Sequence, residues 1–233
     1  MIARNIWLKL ILRYLLCPAI ILSLVTCGKE QQEEVQPNPA RQIELSQNER
    51  LLFDGESLAG WEVTNFGPQG PVRVNNGAIR LVVGDGCTGV TYQGEFPKSD
   101  YEVRLQAQRV SGRDFFCGMT FPVGDEFCTF IVGGWGGSVV GISSIDGLDA
   151  SENFTSQIMV FESERWYDIR VRVTSDSIRA WIDQERVVSV GRAGHTFSVR
   201  NEVKLSRPFG ICSWRTTAAI RNIVLQHPIS RQD

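Results

Sequence analysis

Apolar and polar residues alternate at every second position in most of this chain, and this period constrains its fold more than any other feature. Clear cases are Tyr101–Ala107, Tyr167–Val173 and Ile178–Ile182. Successive side chains of a β-strand point to opposite faces, so the pattern predicts strands with one buried and one solvated face. No segment keeps a helical period over three turns. The chain is therefore predicted to be all-β.

Turn residues separate the predicted strands and favour hairpins. Asn75-Asn76-Gly77 lies between Val72–Val74 and Ala78–Val82, which is a strong hairpin signal. Pro122–Glu126 separates two further apolar strands in the same way. Roughly a dozen short strands joined by glycine-rich turns predict a sandwich or barrel of antiparallel sheets.

Two stacked sheets place one alternate set of side chains in the core and the other in water. Arg104, Arg170 and Arg172 alternate with apolar residues, so we expect them on an outer face. Three tryptophans that alternate within strands are expected in the core rather than in contact with a ligand: Trp61, Trp166 and Trp181.

The first 27 residues are typical of an export signal. An apolar run, Tyr14–Val25, follows three basic residues, Arg4, Lys9 and Arg13. Leu24-Val25-Thr26-Cys27 resembles a bacterial lipobox, in which the cysteine is lipidated, although Thr26 departs from the usual small residue. Residues 1–27 are predicted to be a lipoprotein-type signal peptide ending at the lipidation site, Cys27. A cleaved soluble form and an uncleaved anchor are the alternatives, and all three place the domain outside the cytoplasm.

The next segment, 28–50, is polar and contains Pro37 and Pro39, so it is predicted to be a flexible tether. Residues 51–227 are predicted to form one domain, and 228–233 a short tail. The formal net charge is −2, and the basic residues are scattered. Nucleic acid is therefore not an expected partner, because its binding depends on clustered cations. A membrane is expected, through the lipid anchor.

Four cysteines follow the leader: Cys87, Cys117, Cys128 and Cys212. An even number in an exported protein permits disulfides. Cys117–Cys128 is the predicted pair, because both residues fall on neighbouring strands of one hairpin. The alternative is that all four are small buried apolar residues.

Four segments, taken in order, resemble a family of exported bacterial β-sandwich proteins associated with 3-keto-disaccharide hydrolysis. They are Leu52-Phe53-Asp54-Gly55 with Leu58-Ala59-Gly60-Trp61, then Val74–Ile79, then Arg165–Val171 with Ala180–Asp183, then Ile220–Ile223. The resemblance implies a concanavalin A-like jelly roll of two antiparallel sheets. It also implies a lipid-tethered hydrolase or lyase that acts on 3-keto-glycosides or related saccharides. The central segments follow a divergent subgroup pattern, so no catalytic residues transfer from the family.

The chemistry itself suggests candidates. A base that removes the proton next to a keto group, or a pair of carboxylates that hydrolyses the bond directly, requires acids beside a sugar platform. Asp146, Asp149 and Glu152 are spaced three apart in one loop and are the predicted catalytic acids. Trp135 lies among glycines that leave its ring open for stacking on a sugar. The other predicted substrate contacts are Asn153, Asp114 and Arg215.

Each candidate has a plainer interpretation. Asp146-Gly147 is a favoured hairpin dipeptide, so Asp146 could serve only the turn. Asp149 and Glu152 could be solvated, or could bind a divalent metal such as calcium. No cofactor is required by the sequence. His195 is expected on a surface loop, because no acid lies near it in sequence.

The alternative function is a non-catalytic carbohydrate-binding module or a structural protein of the cell envelope. A saccharide is the expected ligand in the first of these. Geometry separates an enzyme from a binding module, since an enzyme needs acids that converge beside Trp135.

Overall fold

The computed structural model describes residues 44–229 of this chain. The predicted signal peptide, the lipidation site Cys27 and most of the tether lie outside these residues, so they stay predictions. Within the described range, the tether is predicted to extend to residue 50, but Glu49 and Arg50 already belong to the first strand. No helix in this range is long and apolar enough to cross a membrane.

The described residues form strands throughout, with one 3-10 helix at Asn201–Ser206. In chain order the strands are β1 (Glu49–Leu51), β2 (Trp61–Val63), β3 (Val72–Asn75), β4 (Ala78–Leu81), β5 (Cys87–Tyr92), β6 (Tyr101–Gly112), β7 (Cys117–Val123), β8 (Glu126–Gly134), β9 (Val139–Ser143), β10 (Gln157–Ile158), β11 (Trp166–Val173), β12 (Ser177–Ile182), β13 (Glu185–Gly191), β14 (Gly210–Trp214) and β15 (Thr216–Gln226). The predicted all-β class is confirmed.

The strands form two antiparallel sheets, as predicted. The eight-stranded sheet has the order β13-β12-β11-β6-β15-β4-β3, with β1 also beside β15. The seven-stranded sheet has the order β10-β9-β8-β7-β14-β5-β2. Neighbours in both sheets are often far apart in sequence, so the sheets are built by long-range pairing as well as by hairpins.

Turn chemistry fixes the register of the β3–β4 hairpin. Asn76 and Gly77 both have positive φ, at 50° and 72°, as a two-residue hairpin turn requires. Val74 then faces Ile79 across the hairpin. This hairpin is the one that the sequence predicts.

The core lies between the two sheets and follows from the alternation. Tyr101, Val103, Leu105 and Ala107 of β6 are at most 2% exposed and point inward. From the other sheet, Phe121, Phe130 and Ile142 are fully buried in the same cluster. Burial of large apolar side chains from both sheets removes water from the interface and holds the sheets together.

The outer face of the eight-stranded sheet is polar, as the alternation predicts. Glu102 accepts a hydrogen bond of 2.7 Å from Arg172 Nε and one of 3.4 Å from Arg170. Arg104 forms an ion pair of 3.0 Å with Glu49. Arg170 lies opposite Arg104 on the adjacent strand, and Arg172 lies opposite Glu102, so the two acids offset the charge of the arginines.

The prediction that Trp166 and Trp181 lie in the core is wrong. Both are on the outer face of this sheet, where Arg221 lies 4.0 Å from the Trp166 ring and Arg170 lies 3.9 Å from the Trp181 ring. Stacking against arginine covers the rings without burying them in the core. Trp61 is buried, as predicted, and its indole N–H donates to the carbonyl of Leu52.

The predicted Cys117–Cys128 disulfide is also wrong. The two residues do lie on adjacent strands, but Cys117 faces Val132 while Cys128 faces Phe121. That offset of four residues separates them by about 13 Å along the strand, beyond the reach of a disulfide. All four described cysteines are free and buried. Burial raises the pKa of Cys117 to about 12, so this thiol remains protonated.

The close contact between β5 and β14 leads to a testable prediction at Gly89 in β5. A Cβ there would lie 2.4 Å from the carbonyl oxygen of Ile211 on β14, so Gly89→Ala must push the strands apart. We expect a loss of about 1–3 kcal/mol in the free energy of unfolding, measured by chemical denaturation. Gly191→Ala is the matched control, since a Cβ there meets nothing within 4 Å. Equal effects of the two substitutions would contradict this packing.

Candidate functional site

A cavity of about 240 Å³ opens on the outer face of the seven-stranded sheet. Thr129 and Ile131 of β8 line it, whereas the alternate residues Phe130 and Val132 point into the main core. The cavity is therefore on the side of the sheet that faces away from the partner sheet. Its polar walls come from Asp114, Ser143, Arg200 and Glu202, and its aromatic walls from Phe115, Trp135 and Trp214.

A second, smaller apolar cluster forms the floor of the cavity. It contains buried residues from four strands or their ends and from the 3-10 helix, among them Cys87, Phe115, Ile131, Val203 and Cys212. The 3-10 helix packs against this face beside β5 and β14. The segment that contains this helix thus covers part of the outer face of the seven-stranded sheet and forms one wall of the cavity.

Trp135 stands in the loop that joins β8 and β9. The end of β8 and this loop, residues 133–137, take left-handed backbone at Gly133 (φ 76°), Trp135 (48°), Gly136 (87°) and Gly137 (112°). Glycine adopts such angles without a steric penalty, which explains the glycine-rich sequence around the tryptophan. Trp135 is 41% exposed. Its openness agrees with the expectation from the sequence, while its contact with sugar stays a prediction.

Arg200 is the centre of the charge network at the cavity. It donates to Asp149 Oδ2 at 2.5 Å and to Glu202 Oε1 at 3.1 Å. Its guanidinium carbon lies 6.0 Å from the Trp135 ring. Hydrogen bonds from Arg200 lower the pKa of Glu202, and hydrogen bonds to Glu202 raise the pKa of Arg200. Both groups are therefore held in their charged forms.

Asp114 connects the cavity wall to the tryptophan loop. Its Oδ1 accepts a hydrogen bond of 2.8 Å from the backbone N–H of Phe115. Its Oδ2 accepts a longer one, 3.4 Å, from the N–H of Gly136. The carboxylate bonds only to backbone donors in these contacts, so it has capacity left for a ligand.

Ser143 supplies an unused polar group. The residue is 1% exposed and lines the cavity, yet its hydroxyl has no hydrogen-bond partner within the described protein. Buried polar groups are nearly always hydrogen-bonded. A ligand hydroxyl or a water molecule in the cavity would satisfy it.

Asp146, the first of the predicted catalytic acids, lies outside the cavity lining. It occupies the hairpin turn with Gly147, at φ 52°, as the plainer interpretation proposes. Its carboxylate also holds His195 Nδ1 at 2.6 Å and accepts the N–H of Thr196 at 2.8 Å. The structure thus gives His195 an acidic partner 49 residues away in sequence.

Asp149 and Glu152 take different positions. Asp149 contacts the cavity only through Arg200, while Glu152 is exposed and caps the backbone N–H of Asp149 at 3.5 Å. Asn153 is buried, and its side-chain amide donates to the carbonyls of Leu148 and Asp149 in its own loop and to that of Ile142 in β9. Its side-chain oxygen accepts from Thr155, so the whole amide is used in holding the loop to the strand.

Of the predicted substrate contacts, Asp114 and Trp135 line the cavity together. Arg215 is exposed beside it, with its guanidinium carbon 5.7 Å from the Trp214 ring and an ion pair of 2.6 Å to Asp85. The predicted acids and platform are therefore only partly brought together. Roles in catalysis or binding stay predictions for every one of these residues.

A divalent metal finds no ready ligand set in the described part of the chain. Among residues 44–229, no three side chains of His, Cys, Asp or Glu are grouped so that they could hold a metal ion. Asp149 and Glu202 are instead bridged by the guanidinium of Arg200.

Arg200, Glu202 and Ser143 line the cavity but are not among the site residues predicted from the sequence. One signal was available, because Arg200 and Glu202 are two residues apart and would share one face of an extended segment. Ser143 carried no signal, since a serine at the end of a strand is unremarkable until its hydroxyl is seen to lack a partner.

The whole domain matches a known protein family. The sequence model of a family described as the 3-keto-alpha-glucoside-1,2-lyase-like domain matches residues 48–226. No curated protein matches this chain by sequence.

Solved structures share the architecture. A Bacillus subtilis protein of unknown function with a galectin-like fold has a TM-score of 0.57 at 9% identity and covers 78% of this chain and 96% of its own. The transglycosylase Crh5 in complex with NAG has a TM-score of 0.54 at 14% identity, covering 77% and 83%. A structure described with endo-acting O-glycanases of the human gut microbiota has a TM-score of 0.52 at 12% identity, covering 78% and 96%. At these identities the likeness shows the fold alone, and it confirms the predicted jelly roll.

The Asp146–His195 pair makes a prediction about pH. The N–H of Thr196 first, and then the side chain of His195, lower the pKa of Asp146 below its usual 3.8. Folding therefore favours the charged carboxylate, so its contribution is complete above about pH 4 and is lost as the pH falls through the folded pKa. We expect Asp146→Asn to lower the thermal midpoint at pH 6 and to lower it less at pH 2.5. A difference that stays constant across this range would contradict the assignment.

Proposed function

Because this chain belongs to the family of 3-keto-alpha-glucoside-1,2-lyase-like domains, we propose that its cavity binds a 3-keto-glycoside or a closely related saccharide and cleaves the glycosidic bond. The supporting observation is one cavity that joins two indoles, two carboxylates and an arginine on one face of a jelly roll. The predicted lipid on Cys27 would hold this domain at a membrane surface outside the cytoplasm.

Two aromatic walls suit a sugar ring. Trp135 follows β8 and Trp214 ends β14, and these strands lie on either side of β7. Two strand spacings are about 10 Å, which leaves room for a pyranose between side chains at these two ends. The apolar face of a sugar packs on indole, while its hydroxyls need polar partners such as Ser143 and Asp114.

The proposed reaction is an elimination. The keto group at C3 acidifies the hydrogen on C2, and a carboxylate base takes that proton. The electron pair passes through the enolate, and the bond from C1 to the aglycone oxygen breaks. The aglycone oxygen takes a proton from water or from the carboxylic acid that the base has become, and the unsaturated sugar can afterwards add water. Charge develops on the C3 oxygen, so a fixed cation beside it lowers the barrier.

Asp114 is the proposed base and Arg200 the proposed cation. Asp114 lines the cavity and bonds only to backbone N–H groups in the contacts described above. Glu202 is the weaker choice for the base, because its bonds to Arg200 lower its pKa. Asp149 would then act through Arg200, by holding its guanidinium in place.

A binding module without turnover is the second candidate, and one observation favours it. Both carboxylates that contact Arg200 share its single guanidinium, and among residues 44–229 Asp114 has no acidic or basic side chain in hydrogen-bond contact. Catalysis by elimination needs a proton donor for the leaving oxygen as well as a base. The saccharide itself would be bound in the same cavity in both cases.

Turnover of a 3-keto-disaccharide tests the enzyme directly. The purified protein is incubated with the substrate, with and without divalent metal, and release of the aglycone sugar is followed. We expect Asp114→Asn to lower the rate at least about 100-fold if Asp114 is the base. Asp125→Asn is the control, because Asp125 is an exposed acid at a hairpin tip, paired with Lys98. If no aglycone sugar is released under any metal condition, catalysis on this substrate class is rejected. If Asp114→Asn has an unchanged rate, Asp114 is not the base.

Saccharide affinity tests the cavity independently of turnover. We expect Trp135→Ala to weaken binding at least about fivefold in calorimetry, since an aromatic contact contributes about 1 kcal/mol. Phe154→Ala is the matched control, because Phe154 is 65% exposed and does not line the cavity. Equal losses in both variants would argue against a site at Trp135.

A further inference from the structure

One charged residue crosses the core toward the site. Arg109 is on β6 of the eight-stranded sheet, at an inward-facing position in line with Leu105 and Ala107. It is only 7% exposed. Arginine is rarely buried to this extent unless its donors are used, so the reason for its position lies in its contacts.

The contacts of Arg109 reach the loop of the other sheet that carries Trp135. One guanidinium nitrogen donates to the carbonyl of Gly137 at 2.8 Å and more weakly to that of Gly133 at 3.4 Å. These two glycines flank the tryptophan on either side. A Cβ on Gly133 would lie 2.5 Å from this nitrogen, so the glycine is what lets the guanidinium approach.

The remaining surroundings of Arg109 are mostly apolar. The guanidinium lies 5.1 Å from the ring of Phe116 and 5.9 Å from that of Phe161, and its Nε has no partner within the described protein. Burial lowers the pKa of Arg109, while the charges of Tyr167 and Asp114 oppose this effect. A buried cation with an unsatisfied donor is costly, and an apolar side chain of similar length often stabilises a core as well or better.

The tryptophan loop has few other attachments that could fix it. The N–H groups of Gly137 and Ser138 bond to the carbonyl of Gly134 inside the loop, each at 3.1 Å. From outside the loop, Asp114 accepts from Gly136 at 3.4 Å. Four left-handed residues in a row of five have much conformational freedom to lose on ordering.

We propose that Arg109 is a positioning residue, which holds the loop 133–137 from across the core and thereby fixes Trp135 and Asp114 at the cavity. The guanidinium spans the gap between the sheets and satisfies loop carbonyls on both sides of the tryptophan. The part of this proposal that concerns saccharide rests on the proposed function. The part that concerns loop order does not.

Arg109→Met and Arg109→Lys test the proposal, with Arg113→Met as the matched control. Methionine keeps much of the length but removes every donor, whereas lysine keeps the charge and donors on a single nitrogen. Arg113 is exposed and lies just beyond the end of the same strand. Hydrogen exchange of the amides of Gly137 and Ser138, followed by mass spectrometry, reports loop order without any ligand.

We expect Arg109→Met to accelerate this exchange at least about tenfold, while peptides from the centres of β6 and β11 keep their wild-type rates. Arg109→Lys should give an intermediate rate, and it decides the matter alone if the methionine variant does not fold. Affinity for a 3-keto-disaccharide should fall about tenfold in Arg109→Met and less in Arg109→Lys. If the protein turns over, KM should rise more than kcat falls.

Three results would overturn the proposal. Faster exchange spread evenly over the domain, or wild-type exchange at the loop, would make Arg109 only part of the general core. The third is faster loop exchange with unchanged saccharide affinity. If the wild-type protein binds no saccharide, the proposed function fails, and the exchange experiment still decides whether Arg109 orders the loop.

Discussion

Exclusion of water from between the two sheets is the constraint on which the rest of this structure depends. Every strand that faces the interface must give it apolar side chains, and Val103, Leu105, Phe130 and Ile142 do so. Because side chains alternate along a strand, this choice also decides which residues reach the outer faces. The strand residues that do not face the core therefore lie on the two outer faces.

The two outer faces carry different kinds of side chain. That of the eight-stranded sheet carries arginines paired with acids and stacked on tryptophans, and most of its charges are satisfied among themselves, Arg104 Nη1 excepted. That of the seven-stranded sheet carries a second apolar cluster, a cavity and the buried Ser143 hydroxyl, which has no partner among residues 44–229. Unsatisfied polarity beside open aromatic surface is what a ligand can use, which favours this second face as the functional one.

Much of the fold could be predicted from local patterns, because strands and tight turns are local in origin. The hairpin at Asn76-Gly77 is an example. The prediction for Trp166 and Trp181 is wrong because alternation within a strand does not by itself say which face is buried. The inward residues Ile169 and Ile182 place both rings on the opposite face. The Cys117–Cys128 pair failed for a similar reason, since adjacency of strands does not fix register. The Asp146–His195 and Asp149–Arg200 contacts join loops about 50 residues apart, which no pattern within a segment reveals.

The proposed saccharide site is the cavity on the outer face of the seven-stranded sheet. A crystal structure of the protein soaked with a 3-keto-disaccharide, or with a slowly reacting analogue, would show whether the sugar binds there. We expect a sugar ring packed against Trp135, with one hydroxyl within hydrogen-bond distance of Ser143 Oγ and the keto oxygen directed at Arg200. A saccharide bound instead on the arginine-rich face of the eight-stranded sheet, with the cavity holding only water, would contradict it.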